Sequence, residues 1–599
     1  MDIIGRKAQL FNVFRIPLAP AILVLILAST TVVAMGQSQS HPTASAEQSA
    51  MQRGQQALQA GDLSRARSEF EKAVRLAPKD AAAQSALGWV LAQFGESEAA
   101  VAHLRAALKI RPDLIEAQLT LASVLAQQGK LADAVEEARA ATKKAPTNAE
   151  AHRTLARIVS NSDPGAAFAE MQRAVELAPQ RADLRDELGT VMAQQNQFEE
   201  AEKQFSEALR LDPSLEPAHF HRGVVYLEEH PEQAVEDLSR AVELNPRDGA
   251  AHYYLAKAFV AQSRPDDALA EFKKAATLKP DWFELQRELG YASQRAGDVQ
   301  SAVAAFTQAA KLRPNDADVY SDLGLALVQK GDADSAIPNF KIAIQLHPQD
   351  GSLRGNLAIA YLQLANFDAA VGELETAIKI SPGDASLHYN LGLAWKFKDQ
   401  LDKAAVEFQE TIRLQQELVD AHYALGILYW QRGEFDKAVA EMQSAIQQQP
   451  NYAEAHYTLG TVFKQQGKLA EAAQELREAI RLQPDFAGAH TTLAGVLRQL
   501  GDSQGAAEEA KEGARIAASV NNRQAATVST NSGRRLMGNG DVEGAIEQFR
   551  SAIHSDPKYA AAHYQLGLAL QQTGKKDEAR KEFDRAAELD PQITAPHHQ

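Results

Sequence analysis

Residues 317–350 read ADVYSDLGLALVQKGDADSAIPNFKIAIQLHPQD, and blocks of the same pattern fill residues 47–593. Sixteen blocks align. Two of them, 149–181 and 216–248, are one residue short, and residues 521–525 are inserted before the fifteenth block. Block position 20 is alanine in all sixteen, and position 8 is always glycine or alanine. A fixed period of this length indicates one repeat architecture, not the several unrelated domains that chain length alone would predict.

Each block is predicted to form a hairpin of two helices. Apolar and small residues recur with helical spacing at positions 4, 7, 8 and 11, and again at positions 20, 24 and 27. In the eighth block, Gly297 can end the first helix and Asp298 can cap the second. Pro314, at position 32, cannot continue that second helix, so the chain turns there. Because one hairpin cannot bury its apolar face alone, neighbouring hairpins must stack into a continuous solenoid.

Block 317–350 resembles the tetratricopeptide repeat (TPR), and blocks of this kind cover about nine-tenths of the chain. The signature residues in that block are Tyr320, Leu323, Gly324, Leu327, Ala336, Phe340, Ala343 and Pro348. The resemblance implies an all-α fold, a right-handed superhelical α-solenoid of about sixteen hairpins whose first helices line a concave groove. It also implies that an extended peptide or a helix of another protein binds in that groove, and that the chain has no chemistry of its own.

Composition removes several classes of function. The chain has 599 residues, and 62 basic against 78 acidic side chains leave a net charge of −16. This acidic balance argues against nucleic-acid binding, which needs a basic face to displace counterions from phosphate. There is no cysteine, so disulfides, thiolate metal sites and cysteine nucleophiles are excluded.

The residues before the first block have the composition of an export signal. Three basic residues precede an apolar core at residues 21–28, and small residues follow at Ala34 and Gly36. This pattern predicts a secretory signal peptide over residues 1–36. The alternative is an uncleaved membrane anchor formed by residues 16–36, since these 21 residues are just long enough to cross a bilayer as a helix. In both cases the repeats are expected outside the cytoplasmic membrane, periplasmic, secreted or anchored facing outward, with residues 37–46 as a flexible linker.

The fourteenth block departs most from the pattern. Gly513 replaces the alanine of position 27, Ala518 replaces the proline of position 32, and the five-residue insertion follows. These departures predict a hinge or break around Lys511–Thr530. Gln416 replaces the same proline in the eleventh block, where we expect helix packing to continue more smoothly. The predicted organisation is a TPR array over 47–520 (repeats 1–14), an insertion at 521–525, repeats 15 and 16 over 526–593, and a tail at 594–599.

Two patterns resemble chemical sites, and both are interpreted as structural. Eight histidines occupy position 4 of different blocks, at least about 34 residues apart and without the HExxH pairing of a zinc site: His152, His219, His252, His388, His422, His456, His490 and His563. Residues 501–505 match GxSxG, but they fall on a predicted hairpin turn and not between a strand and a helix. No catalytic, cofactor or metal site is therefore predicted.

A candidate binding strip follows from the family's pattern, in which positions 2, 5, 9, 12 and 13 of each first helix face the groove. In repeats 11–13 these positions supply Tyr389, Leu393, Lys396, Phe397, Tyr423, Ile427, Trp430, Tyr457 and Lys464. We expect these side chains on the surface, outside the helix–helix core, where exposed aromatic anchors commonly carry binding energy. The alternative is family background, because tyrosine is a common filler at position 5.

The sequence therefore predicts an exported, non-catalytic scaffold that binds protein or peptide partners. It predicts no nucleic-acid partner, and membrane contact only through an uncleaved N-terminal segment. The alternative function is a regulatory or targeting subunit of an extracytoplasmic enzyme complex, such as one for glycosyl transfer or polysaccharide secretion.

Overall fold

The computed structural model describes residues 42–591 and residue 593. The predicted signal peptide or anchor at 1–36 and the tail at 594–599 lie outside these described residues. Within them, all regular secondary structure is helical, in 31 helices. The all-α expectation is confirmed.

The chain divides between Asn315 and Asp316 into two compact units, each of which holds eight of the repeats. The helices of the first unit are α1 (Pro42–Gln59), α2 (Leu63–Leu76), α3 (Ala81–Gln93), α4 (Ser97–Ile110), α5 (Ile115–Gln127), α6 (Leu131–Lys144), α7 (Ala149–Val159), α8 (Pro164–Leu177), α9 (Ala182–Gln194), α10 (Phe198–Leu211), α11 (Glu216–Tyr226), α12 (Pro231–Leu244), α13 (Gly249–Ala261), α14 (Pro265–Leu278), α15 (Phe283–Arg295) and α16 (Val299–Leu312).

The second unit begins with the ninth repeat. Its helices are α17 (Ala317–Gln329), α18 (Ala333–Leu346), α19 (Gly351–Gln363), α20 (Phe367–Ile380), α21 (Ala385–Phe397), α22 (Leu401–Leu414), α23 (Val419–Gln431), α24 (Phe435–Gln448), α25 (Ala453–Gln465), α26 (Leu469–Leu482), α27 (Ala487–Gln499), α28 (Ser503–Gly538), α29 (Val542–Ser555), α30 (Ala560–Gln572) and α31 (Lys576–Leu589).

Close packing inside each hairpin explains the small residues of the repeat. The alanine of position 20 is at most 2% exposed in all sixteen repeats. At position 8, a Cβ added to Gly290 would lie 2.5 Å from the ring of Phe306, the residue at position 24 of the same repeat. Consecutive helices pack against each other within each unit, so the predicted solenoid of stacked hairpins is confirmed.

The turn between the two helices of a hairpin has one geometry in most repeats. Gly297, at position 15, adopts a φ of +73°, and Asp298 caps the next helix by accepting from the Ser301 amide at 3.1 Å. Ala365 holds the same left-handed conformation in repeat 10, with a φ of +55°. That conformation costs an L-residue about 1–2 kcal/mol, so the packing of the two helices imposes the turn even where glycine is missing.

The predicted break at Lys511–Thr530 is wrong. Helix α28 runs unbroken for 36 residues and serves repeat 14 with its first part and repeat 15 with its last part. Nothing in it forces a stop, because it contains no proline. Its buried residues fall into two sets, Ala506, Gly513 and Ile516 in the first part and Ala526, Thr530 and Gly533 in the last. Ala506 and Ala526, like Gly513 and Gly533, are twenty residues apart and therefore lie about 200° apart around the axis, so the second buried face is rotated away from the first.

The first described residues, from Pro42, form a helix and not a flexible linker. Helix α1 begins at Pro42, so the flexible linker predicted over residues 37–46 is wrong for residues 42–46. Proline is well tolerated as the first residue of a helix, and the helix of the first repeat therefore extends toward the N-terminus. Among the helices of residues 42–591, none has the length and apolar character that crossing a bilayer requires.

Candidate functional site

The nine predicted strip residues lie on the first helices of repeats 11, 12 and 13, which are α21, α23 and α25. Eight of them are half-buried. Phe397, at the end of α21, is 58% exposed and stacks on Phe367 with ring centroids 5.3 Å apart. Helices α23 and α25 are joined at the strip, where the indole Nε1–H of Trp430 donates to Gln465 Oε1 at 2.7 Å. The predicted residues thus form a partly exposed surface on three successive repeats.

The tyrosines of the strip are more firmly packed than the sequence predicts. Tyr423 contacts Tyr452 with ring centroids 5.0 Å apart, and Tyr457 contacts Phe486 at 4.7 Å. In both pairs a tyrosine at position 5 packs on an aromatic residue at position 34 of its own repeat. Burial raises the pKa of Tyr423. The expectation that these side chains lie outside the packed core is therefore wrong for one side of each ring. Truncating Tyr423 or Tyr457 to alanine would remove its contact with the aromatic residue at position 34 as well as any contact with a partner.

The sequence interpretation missed the acidic end of the strip. Asp420 and Glu454, at position 2 of repeats 12 and 13, are exposed. Burial, together with the charge of Asp420, raises the pKa of Tyr389. Lys396 and Lys464, at position 12, make no ion pair within the described residues. The strip therefore has carboxylates near the starts of its helices and unpaired ammonium groups near their ends, a polarity already visible in positions 2 and 12.

The same helix positions in repeats 4 and 5 have a different character. Arg153, at position 5, lies 3.3 Å from Glu150 and 3.2 Å from Asp183, and its Nε donates to Glu187 at 3.0 Å. These charges satisfy one another, and Arg153 is buried among them. A buried network of this kind leaves little for a partner to pair with.

The position-4 histidines have a structural role. In all eight, Nδ1 lies within 2.9 Å of a carboxylate on the second helix of the same repeat. Nε2 lies within 3.3 Å of a main-chain carbonyl oxygen in the turn that precedes the repeat. Both partners are acceptors, so a ring nitrogen that carries a proton has an acceptor to donate to. The hydrogen bond to Glu475 raises the pKa of His456.

The two remaining chemical patterns acquire ordinary structural explanations. Within the described part of the chain, no group of three or more histidine, aspartate or glutamate side chains is arranged to hold a metal ion. In the GxSxG match, Gly501 ends the turn after helix α27 with a φ of +88°. Asp502 caps α28 by accepting from the Gly505 amide at 2.8 Å, and Ser503 is the first residue of that helix. A helix, not a strand, precedes the serine, so this is not the geometry of a nucleophile elbow.

Three solved structures illustrate the likeness of the fold. The APC/C hetero-tetramer Cut9-Hcn1 is 15% identical, with 88% of this chain and 96% of that chain covered and a TM-score of 0.34. YrrB, described as a TPR protein with an unusual peptide-binding site, is 23% identical over 31% of this chain and 97% of its own, with a TM-score of 0.28. MamA from Desulfovibrio magneticus RS-1 is 23% identical over 28% and 96%, with a TM-score of 0.27.

Family models match along most of the chain, whereas a comparison with curated protein sequences finds no match. Models described as tetratricopeptide repeat match residues 51–115, 93–158, 228–281, 287–351, 327–392, 457–521 and 530–592, and one described as TPR repeat matches 189–229 and 428–467. These matches agree with the stacked helical hairpins of the structure. The chain belongs to the tetratricopeptide repeat family, whose members typically serve as non-catalytic scaffolds for protein–protein interaction.

Proposed function

We propose that this protein is a non-catalytic scaffold that binds a protein or peptide partner in a concave groove, on the strip of repeats 11–13. The observation that carries the proposal is the half-exposure of eight neighbouring apolar, aromatic and lysine side chains on α21, α23 and α25, together with the exposed ring of Phe397. Surfaces of this kind are uncommon on isolated soluble proteins and mark interaction sites.

The packing behind the strip favours binding. Tyr423 and Tyr457 are each held on one side by an aromatic neighbour, and the indole of Trp430 is held by Gln465. Side chains that are already ordered lose little conformational entropy when a partner covers them. Their rings offer apolar area together with a polar edge, which suits an extended peptide.

The charges at the two ends of the strip set the orientation of a partner. Exposed Asp420 and Glu454 lie at the helix starts, and Lys396 and Lys464 lie near the helix ends. A peptide with a basic residue at one end and an acidic residue at the other matches this polarity in one direction only. Charge complementarity of this kind contributes more to orientation and to the association rate than to affinity.

The direct test is a double substitution at the centre of the strip. Tyr423→Ala with Trp430→Ala should weaken binding of a partner recovered by crosslinking from cell-envelope fractions by about 2 kcal/mol or more, as for interface hot spots. Binding is measured by calorimetry with the purified partner. An enzyme activity in the same crosslinked fraction would favour the regulatory-subunit alternative.

A matched control separates lost contacts from lost stability. Tyr564 occupies position 5 of repeat 16, is half-buried and packs on Phe583 with ring centroids 5.6 Å apart. Tyr564→Ala should lower stability about as much as Tyr423→Ala does, yet leave binding unchanged. Equal affinity of the strip variant and the unmodified chain would remove repeats 11–13 as the site.

We also propose that the scaffold acts outside the cytoplasmic membrane, on the support of the N-terminal sequence pattern. The mature protein should begin near Met35 or Gln37 and should resist protease in intact cells with a sealed envelope. N-terminal sequencing of the purified protein measures the first point. A chain that begins at Met1 and fractionates with membranes would favour the anchor, and one that begins at Met1 in the cytoplasmic fraction would contradict export.

A further inference from the structure

The sixth repeat contains a pocket at the place where it is one residue short. Its first helix, α11, has 11 residues, whereas α9 and α13 on either side have 13. A connector at residues 227–230 replaces the last part of the helix. The pocket beside this connector has a volume of about 750 Å³ and is also lined by the start of α10 and the end of α13. This volume is typical of ligand sites.

The pocket has an apolar floor and an acidic rim. Val224, Tyr226 and Tyr254 form buried parts of the floor. The rim carries five glutamates: Glu199, Glu200, Glu202, Glu228 and Glu229. The hydroxyl of Tyr226 donates to Glu202 at 2.8 Å, and burial together with this bond raises the pKa of Tyr226 to about 12. The pocket therefore combines a largely apolar floor with a strongly negative rim.

Little positive charge within the pocket offsets these carboxylates. Lys257 is the lysine of the lining, and its Nζ lies 3.9 Å from Glu288, which is outside the pocket. Glu199, Glu200 and Glu229 form no ion pair with any residue of the range 42–591. All three are exposed at the rim. The pocket thus combines apolar walls with carboxylates that are free to pair with a cation.

The fourth repeat shows that the fold does not require this acidity. It carries the same one-residue deletion, and its first helix, α7, also has 11 residues. The residues equivalent to Glu199, Glu202, Glu228 and Glu229 are Ala132, Val135, Asn161 and Ser162, and Asp133 is the equivalent of Glu200. A short repeat is therefore built equally well without four of the five glutamates, and their presence in the fifth and sixth repeats is not required by the deletion.

We propose that this pocket binds an arginine side chain of a partner protein, with an aliphatic neighbour of that arginine against the apolar floor. A guanidinium group pairs with carboxylates through two parallel hydrogen bonds, and Glu199, Glu200 and Glu229 offer exposed carboxylates for such pairs at the rim. The occupant is an extended segment with arginine beside leucine, isoleucine or valine. The site lies in repeats 5–7 and is separate from the strip of repeats 11–13.

The test selects peptides that bind the purified full chain from a randomised dodecapeptide display library. Peptides that also bind the triple variant Glu199→Gln/Glu200→Gln/Glu229→Gln are removed in a counter-selection step. Peptides that bind only the unmodified chain should contain arginine beside an aliphatic residue. In the best synthetic peptide, replacing arginine by citrulline, which is uncharged and nearly isosteric, should weaken binding about tenfold or more. Binding is measured by fluorescence anisotropy.

Control variants keep the result specific. Glu98→Gln/Glu136→Gln/Glu236→Gln removes the same charge from exposed glutamates elsewhere and should change the dissociation constant by less than about twofold. Val260→Arg places a guanidinium at the exposed edge of the pocket and should compete with the peptide, whereas Val528→Arg, also exposed, should not. Circular dichroism verifies that each variant is folded.

Three outcomes overturn the proposal. The first is a selection in which the unmodified chain and the glutamine variant enrich the same peptides. The second is a citrulline peptide that binds as well as the arginine peptide. The third is loss of arginine-peptide binding in Tyr423→Ala with Trp430→Ala, which would assign the peptide to the strip and leave the function proposed for repeats 11–13 standing.

Discussion

The ends of repeats 11 and 14 both lack the proline of position 32, and the chain behaves differently at the two places. At Gln416, helix α22 has already ended at Leu414 and the chain turns into the next repeat as it does elsewhere. At Ala518 the chain does not turn, and α28 continues to Gly538. The absence of proline predicts smoother helix packing at Gln416, but the turn at Gln416 has the same form as the turns that contain proline. The missing proline therefore does not decide where a helix ends.

Contacts with the following repeat explain the difference. The carbonyl oxygen of Gln416 lies 3.1 Å from Nε2 of His422 and accepts from Gln448 at 3.0 Å, so the next hairpin holds the turn in place. Repeat 15 has Ser529 at the histidine position, and α28 presents one buried face to repeat 14 and a second, rotated buried face to repeat 15. Tertiary packing, and not the local stop residue, fixes the ends of these helices.

The largest expected effect is at Ala518. Ala518→Pro should destabilise the second unit by about 3 kcal/mol or more, because proline removes a backbone hydrogen bond inside a continuous helix. The matched substitution Gln416→Pro should stabilise the protein by about 0.4–1 kcal/mol, since Gln415 before it has φ −138° and ψ 89°, close to the conformation of Arg313 before Pro314. Urea unfolding followed by circular dichroism measures both. Equal effects of the two substitutions would break the comparison.

The next largest effect is expected from a change in the packing between the two helices of one hairpin. Ala302, at position 20, is fully buried, and Ala302→Leu should overpack repeat 8 at a cost of about 1–3 kcal/mol. Because repeats couple mainly to their neighbours, nearby helices should open before distant ones. Hydrogen exchange measured by mass spectrometry locates the loss of protection.

Ala304→Leu is the control for overpacking, because Ala304 lies on the same helix but is exposed. It should leave hydrogen exchange unchanged. Uniform loss of protection along the chain in Ala302→Leu would contradict the view that packing acts locally.

A smaller effect is expected from the histidine contacts that hold the turns. The hydrogen bond to Glu475 raises the pKa of His456. The contribution of this hydrogen bond to the free energy of unfolding is therefore complete below the unfolded pKa of about 6.5, and it is lost as pH rises through the folded pKa. His456→Gln should cost about 1 kcal/mol near pH 6 and less near pH 8, as measured by urea unfolding. The exposed His347 provides the control, because His347→Gln should leave the free energy of unfolding unchanged. A loss that grows with pH would have the wrong sign.

The smallest effect tests the turn that packing imposes on a non-glycine residue. Ala365→Gly should raise stability by about 0.5 kcal/mol, since relief of the left-handed strain outweighs the extra backbone entropy of glycine. Thermal unfolding measures the change. A clear loss of stability would show that Ala365 is not strained in its turn.

The sequence predicts the parts of the molecule that each repeat determines by itself. The buried alanines such as Ala302 and the structural packing of the position-4 histidines are examples, because each depends on contacts within one hairpin or with the turn beside it. The continuous helix α28 could not be predicted. It depends on residues 517–525, which lie between the two buried segments of the helix and set the angle between their buried faces. The acidic pocket was missed for a related reason, because its lining comes from three separate helices.

The central claim is that packing between neighbouring repeats fixes the helix ends, so that α28 joins repeats 14 and 15 as one rigid helix. The chain has no cysteine, so Lys511→Cys with Asn531→Cys can carry two spin labels at exposed positions of the otherwise unmodified protein. Double electron–electron resonance should give one narrow distance distribution near 30 Å, because twenty helical residues rise about 1.5 Å each. A broad distribution centred at clearly shorter distances would mean that the chain bends between the two repeats, and it would contradict the claim.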